Sequence, residues 1–224
     1  TYKDRILMEG NPHLLIEGMM ICGFTIKATK GYIYVRGEFR RSIMRLQKAI
    51  DQARAKGILG KNVFGSGFDF DVFIKEGGGA YVCGEETSLI NSMEGKRGYP
   101  RFKPPFPGGS GFNNLPSNVN NVETYMSVPM IIDKGAAWYK EMGPSFCTGT
   151  KLYCLSGKLN ETGLVELPMG TTMRELIDKY GKGIKGGKKF KFAHVGGSAG
   201  GILGEDLMDL PLDIDSTTKA GVTL

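Results

Sequence analysis

The 224-residue chain carries 29 Lys and Arg against 23 Asp and Glu, a net charge of +6, with 41% hydrophobic and 23% charged residues. That composition suits one large or two modest folded domains and excludes an intrinsically disordered chain. No apolar run approaches the roughly 20 residues of a bilayer span, and Thr1 to Arg5 lack the charged and apolar regions of a signal peptide, so a soluble, cytoplasmic protein is expected.

The basic excess does not point to nucleic acid, because Lys and Arg are interleaved with acids along most of the chain. The densest basic stretch, Lys182, Lys185, Lys188, Lys189 and Lys191, sits among glycines and reads as a solvated loop tip. Cys22, Cys83, Cys147 and Cys154 are scattered without a C-x-x-C pair, so no zinc or iron–sulfur ligand set forms locally and four reduced thiols are expected. The chain opens without Met and closes on Gly221-Val222-Thr223-Leu224 with no helix stop, which suggests a piece cut from something longer.

In chain order, Asn11-Pro12 can start a helix, and Leu14, Leu15, Gly18, Met19, Cys22 and Ile26 recur at helical spacing, with Gly31 as the stop. Tyr32 to Val35 reads as a short strand. Ile43, Leu46, Ala49, Ile50 and Ala53 mark one face of a second helix ending at Gly57, and Phe68 to Ile74 reads as a second strand. This alternation is the rhythm of a layered α/β domain. After the turn Gly77-Gly78-Gly79, the segment Glu85 to Met93 reads as a helix ended by Gly95. The stretch from Lys96 to Asn118 holds five prolines and little regular structure, a length that is usually functional inside a compact domain. A third helix starts near Asn121. From Lys151 the texture changes: Leu152 to Leu155 and Leu164 to Leu167 flank a turn as a hairpin, Thr172 and Glu175 form a capping box, and Phe190 to Val195 gives a strand. Hairpin, helix, strand is the order of a small β-grasp unit, and a domain boundary is placed near Phe146, giving domains 1–146 and 147–224.

Three segments could carry chemistry. The first runs from Gly77 to Thr87. Its glycines allow close backbone approach to a ligand, and the helix that follows offers unpaired N–H groups. It matches neither the dinucleotide fingerprint nor a P-loop, and the competing reading is a strand-to-helix turn whose Glu85 and Glu86 complement the helix dipole. In the second, Gly95 to Pro107, prolines stiffen a display of Phe102 and Phe106, which could stack on a base. The cations Lys96, Arg97, Arg101 and Lys103 could meet phosphates or acidic partners. Here the alternative is a surface connection whose aromatics tuck into the core. The third, Ser117 to Thr124, packs Asn118, Asn120 and Asn121 just before a helix start. A cap accounts for one Asn but not three, which favours ligand contact. His13 and His194 read as structural, and Gly196 to Gly201 as a flexible strand exit.

The patterns Gly-x-Gly-Ala-Tyr-x-Cys-Gly-Glu-Glu-Thr, Glu-Gly-Lys-Arg-Gly-x-Pro-Arg-x-Lys-Pro-Pro-Phe-Pro and Asn-Val-Asn-Asn-Val-Glu-Thr follow one another in this order. Together they resemble the flavoprotein subunit of respiratory complex I and its diaphorase relatives in NAD-reducing and electron-bifurcating hydrogenases. The resemblance implies a Rossmann-like FMN-binding domain followed by a ubiquitin-like β-grasp domain. It implies that Tyr81, Gly84, Glu85 and Glu86 line the flavin, that Asn118, Asn120, Asn121 and Thr124 hold its ribityl phosphate end, that Glu86 also touches NADH, and that Phe106 stacks on adenine. It implies no proton-transfer catalyst, since hydride passes directly from nicotinamide to flavin. Implied partners are NADH, a thioredoxin-like 2Fe-2S subunit and a larger iron–sulfur subunit, with electrons going on to iron–sulfur clusters. A location on the inner face of the plasma membrane would then come through the parent complex. The family's upstream glycine-rich segment and its downstream domain holding a 4Fe-4S cluster have no counterpart here, so the isolated chain is expected to be inactive. Competing readings are a non-catalytic subunit-docking module and a subunit of an ion-translocating ferredoxin:NAD oxidoreductase; the latter fits the proline-rich stretch less well.

Overall fold

The computed structural model describes residues 2–198 and 200–222. Thr1, Ala199, Thr223 and Leu224 lie outside the described residues, so the expected features at the chain's end and in the glycine-rich stretch are described only in part. The chain is a mixed α/β structure of helices and small sheets that divides into two compact units, Asp4–Met130 and Ile131–Leu224, with Thr1–Lys3 belonging to the second. Phe146 falls inside the second unit.

Helix α1 (Lys3–Gly10), all but its first residue in the first unit, is followed by α2 (Pro12–Ile26). Asn11 caps α2, its side chain accepting the Leu14 N–H at 3.3 Å, and Pro12 takes the first position, where a missing N–H is harmless. The helix ends at Lys27 in the left-handed conformation, not at Gly31. Gly31 instead lies within strand β1 (Lys30–Arg36), which passes so close to α2 that a Cβ there would stand 2.8 Å from Met19 Cε. Helix α3 (Arg40–Ala55) follows and buries Leu46, Ala49, Ile50 and Ala53, the face expected from their spacing.

Strand β2 (Asp71–Gly77) pairs with β1 in parallel, from Lys30 opposite Asp71 to Arg36 opposite Gly77. It therefore starts three residues later than the apolar run suggested. Phe70 is tied to Gly60 by a pair of backbone hydrogen bonds instead, and its ring is buried. Parallel strands need a crossover, which α3 supplies. Arg54 at its end fixes the register, donating Nε and Nη2 to the two carboxylate oxygens of Asp71 at 2.9 and 3.1 Å and Nη2 to Val72 O at 2.9 Å. The core lies between these elements, with Leu15, Leu46, Ile50, Val35 and Val72 at 1% exposure or less. Helix α4 (Glu86–Met93) and helix α5 (Val122–Lys134) follow, joined by the proline-rich segment.

The second unit holds α6 (Ala136–Lys140), an antiparallel hairpin of β3 (Thr150–Leu155) and β4 (Gly163–Pro168), and α7 (Met173–Glu175). The capping box at Thr172 and Glu175 is present in both directions. The chain winds on through a π-helical turn, Leu176–Tyr180, to β5 (Phe192–His194), β6 (Ile202–Gly204) and α8 (Ile214–Lys219). β5 pairs antiparallel with β6, so the stretch read as a flexible strand exit turns the chain back into a second hairpin. Leu155, Leu176, Ile177, Leu203 and Leu212 form this unit's own core, and the Tyr2 hydroxyl lies 2.9 Å from both Leu155 O and Gly163 O. Among the described residues, no helix is long and apolar enough to cross a membrane.

Candidate functional site

The three segments singled out in the sequence all lie in the first unit. Where β2 ends, the chain makes a short 3-10 turn, Tyr81–Gly84, and Glu85 then caps α4. One carboxylate oxygen of Glu85 accepts the N–H groups of Thr87 and Ser88, each at 2.9 Å, together with the Thr87 hydroxyl. Burial opposes ionisation of Glu85, but those donors and Lys103 outweigh it and hold its carboxyl below the usual range. The other oxygen lies 3.5 Å from Lys103 Nζ. Glu86, in the first turn, accepts a hydrogen bond from the same Lys103. Gly84 borders open space, and the Tyr81 ring beside it is 64% exposed.

The proline-rich segment lies along α4. Glu94, with its side chain 6% exposed, pairs with Lys96 Nζ at 2.7 Å and Arg101 Nη2 at 2.8 Å and accepts the Asn113 N–H at 2.9 Å. Lys96 above all, then Asn113 and Arg101, pull its carboxyl down to about 2 against the opposing effect of burial. Of the four cations read as possible phosphate ligands, Lys96, Arg101 and Lys103 are thus engaged with acids of this chain, and Arg97 lies over the Tyr99 ring at 5.0 Å. Phe102 and Phe106 stay out of the core, at 98% and 62% exposure.

The asparagine cluster meets α2 and the start of α5. Asn118 donates to Cys22 Sγ at 3.1 Å, and Asn120 to Asn118 Oδ1 at 3.1 Å. Asn121 is the cap: its Oδ1 accepts the Glu123 N–H and its Nδ2 donates to Asp4, both at 3.0 Å. Thr124, three positions beyond Asn121, is exposed. The Tyr125 hydroxyl lies 4.0 Å from Cys22 Sγ, and burial, with the Cys22 thiol assisting, pushes its pKa up to about 12.

Asn118 and Asn120 border a cavity of about 500 Å³, whose apolar wall includes Leu15, Met19, Ile90 and Met93. Lys30 to Tyr34 of β1 form another wall, and among the described residues β1 is paired on one side only. The remaining site residues expected from the sequence, Tyr81, Gly84, Glu85, Glu86, Phe106, Asn121 and Thr124, do not line this cavity. A flavin mononucleotide needs an apolar slot for a flat ring and neutral donors for its polar chain. A space of this size, lined by aliphatic side chains and by the residues Asn113, Asn118 and Asn120, fits those needs. Sequence reading missed Cys22, Tyr125 and the Glu94–Arg101 pair, and it left Lys103 without a partner. The Lys103–Glu86 pair is 17 residues apart in sequence, across α4 and the irregular chain after it, a separation for which no periodic signal exists.

Residues 1–130 match the family model described as the Nuo51 FMN-binding domain. The chain belongs to this family. Over all 224 residues it is 50% identical to an NADH-quinone oxidoreductase subunit of Salmonella typhimurium and covers 50% of that protein. It is also 50% identical, over 215 residues, to the NADP-reducing hydrogenase subunit HndC of Solidesulfovibrio fructosivorans, covering 96% of this chain and 44% of the relative. A crystal structure of an NAD+-reducing NiFe hydrogenase in the air-oxidised state superposes with a TM-score of 0.84 at 34% identity, covering 96% of this chain and 36% of the other. The chain spans about half the length of the curated relatives it matches. The Nuo51 match ends at residue 130, where the first compact unit also ends.

Proposed function

We propose that this chain is the central part of an NADH dehydrogenase flavoprotein subunit, in which hydride from NADH is accepted on FMN and electrons leave to iron–sulfur clusters. The observation that carries the reading is the cavity of the first unit, where the amides of Asn118 and Asn120 meet an aliphatic wall in a chain of the Nuo51 FMN-binding family. Bound FMN would supply the chemistry of accepting two electrons as hydride and releasing them singly. The protein's own work is alignment. Asn118 and Asn120 present neutral donors to the ribityl phosphate end, with Asn121 fixing the start of α5 beneath them and Thr124 beside it. Tyr81 and Gly84 leave an open approach beside α4, Glu85 holds the helix start, Glu86 beside Lys103 touches NADH, and the exposed Phe106 ring stacks on its adenine. The hydrogenase relatives' names fit the same reading with another electron acceptor.

In the same reading, the β1–α3–β2 unit belongs to a Rossmann-like sheet. The open edge of β1 supports this, since parallel sheets are seldom two strands wide. The functional division falls near Phe146, and the following hairpins and α7 form a β-grasp domain that contacts a thioredoxin-like 2Fe-2S subunit and a larger iron–sulfur subunit. The 4Fe-4S ligands are carried elsewhere in the parent protein, which acts on the inner face of the plasma membrane through its complex.

An equilibrium FMN titration, followed by quenching of flavin fluorescence, tests the proposal on this chain and on the full-length protein. The full-length protein is expected to bind FMN, and Asn118→Ala or Asn120→Ala to weaken it about tenfold each, the effect of one lost hydrogen bond worth about 1.4 kcal/mol. A full-length protein that binds no FMN would sink it.

A further inference from the structure

Ser88 and Asn91 of α4 donate to Gly98 O and Tyr99 O, the latter at 2.7 Å, and Arg101 adds the tie that reaches furthest along the proline-rich segment. The backbone N–H of Arg101 donates to Thr87 Oγ1 at 2.8 Å, its Nε to Asn91 Oδ1 at 2.8 Å, and its Nη2 to Glu94 Oε2 at 2.8 Å. Thr87 and Asn91 are four residues apart on one face of α4, and Glu94, the residue that ends the helix, follows three further on, so Arg101 lies along that line. A remaining donor, Nη1, reaches Gly111 O at 3.4 Å, near the far end of the segment. The guanidinium thus spans helix and loop with a planar fork that lysine cannot reproduce.

The chain of contacts continues into the nucleotide face. Thr87 is 2% exposed, and while its oxygen accepts from Arg101, its own hydrogen goes to the capping carboxylate of Glu85. Two residues beyond Arg101, Lys103 bridges Glu85 and Glu86, and three further on Phe106 stands exposed. On the opposite side, Glu94 locks the same guanidinium and also takes Lys96 and the Asn113 N–H, so both flanks of the segment meet at one carboxylate. The amide cluster has separate anchors, Cys22 and Asp4.

We propose that Arg101 is a positioning residue for nucleotide binding: by stapling the segment to α4 it sets where Lys103 and Phe106 stand relative to Glu86, and so governs affinity for NADH without holding the flavin. This rests on the flavin reading above. Without the guanidinium the segment keeps its ties to Ser88, Asn91 and Thr87 but loses those from Arg101 to Asn91 Oδ1, Glu94 and Gly111 O, and the cost of restoring the placement of Lys103 and Phe106 falls on affinity rather than on the chemical step.

The test uses the full-length protein in its native assembly with Arg101→Ala, Arg101→Lys and Asn120→Ala. Flavin content, KM and kcat for NADH, and the Kd of NAD+ by calorimetry are read for each. Arg101→Ala is expected to raise KM and the NAD+ Kd about tenfold, with kcat within about twofold and flavin content unchanged, and Arg101→Lys to fall between it and the parent. Unchanged KM and Kd in Arg101→Ala overturn the proposal. Should that variant lose its flavin, Arg101→Lys decides: raised KM with flavin retained supports the staple, and loss of flavin there overturns it. Asn120→Ala is expected to bind FMN about tenfold more weakly in the FMN titration; if its FMN affinity equals the parent's while the Arg101 variants behave as described, the flavin assignment of the amide fails and the staple stands.

Discussion

Replacing Gly18 by alanine sets two effects against each other. Gly18 lies mid-way along α2, where alanine is the better helix former by about 1 kcal/mol. A Cβ at this position, however, falls 1.9 Å from Tyr125 O and 2.7 Å from Tyr125 C, both backbone atoms of α5, against 3.4 Å for ordinary contact. A side chain could rotate away; a helix backbone cannot, so α2 and α5 must part by about 1.5 Å. Overpacking costs about 1–3 kcal/mol, and contact with backbone belongs at or above the upper end of that range. Clash therefore outweighs propensity, for a net loss of about 2 kcal/mol and a fall in melting temperature of about 4–8 °C for a chain of this size. Because α5 carries Tyr125 beside Asn120, its displacement is also expected to weaken FMN binding. Thermal and urea unfolding of variant and parent, measured side by side, check the argument. A melting temperature equal to or above the parent's would mean that propensity wins, and would refute the close approach of the two helices.

Two further outcomes follow from the proline-rich segment. The Glu94 carboxyl sits at about 2 in the folded chain against an ordinary 4.5. Its contribution is therefore complete above about pH 4.5 and lost as pH falls towards 2. The stability gap between the parent and Glu94→Gln should accordingly narrow between pH 7 and pH 3, and a constant gap would rule out the ionised network as its source. Gly98→Ala would place a Cβ 2.6 Å from the buried Sγ of Cys83, at an expected cost of about 1–3 kcal/mol. Adding Cys83→Ala removes the obstructing sulfur and should recover part of that loss, whereas strict additivity in the double-mutant cycle would show that the clash is not the cause.

Local signals in the sequence carried far. Asn11-Pro12 announced α2, the spacing of Leu46, Ala49, Ile50 and Ala53 announced the buried face of α3, and Thr172 with Glu175 announced a capping box. The turn between Leu155 and Gly163 announced a hairpin. Each is decided by residues a few positions apart, through hydrogen-bonding rules and periodicity that act before any distant part of the chain is placed. The three patterned segments likewise pointed to the family before any geometry was available.

Tertiary structure decided what depends on distant partners. Phe68 to Phe70 are as strand-like as the residues after them, but Gly60 claims Phe70, so β2 begins at Asp71. Ile202–Gly204 is too short and too rich in glycine around it to show as a strand until β5 pairs with it. The three asparagines looked alike in sequence; only the fold gives Asn121 to the cap and to Asp4, and sends Asn118 and Asn120 to the cavity beside Cys22. Glu85 and Glu86 were ambiguous between helix cap and ligand contact; the folded chain makes Glu85 the cap of α4, while Lys103, arriving from beyond a run of irregular chain, pairs with both. Caps and periodic faces are set by neighbours in sequence. Ion pairs, strand registers and cavities are set by neighbours in space, which the chain acquires only on folding.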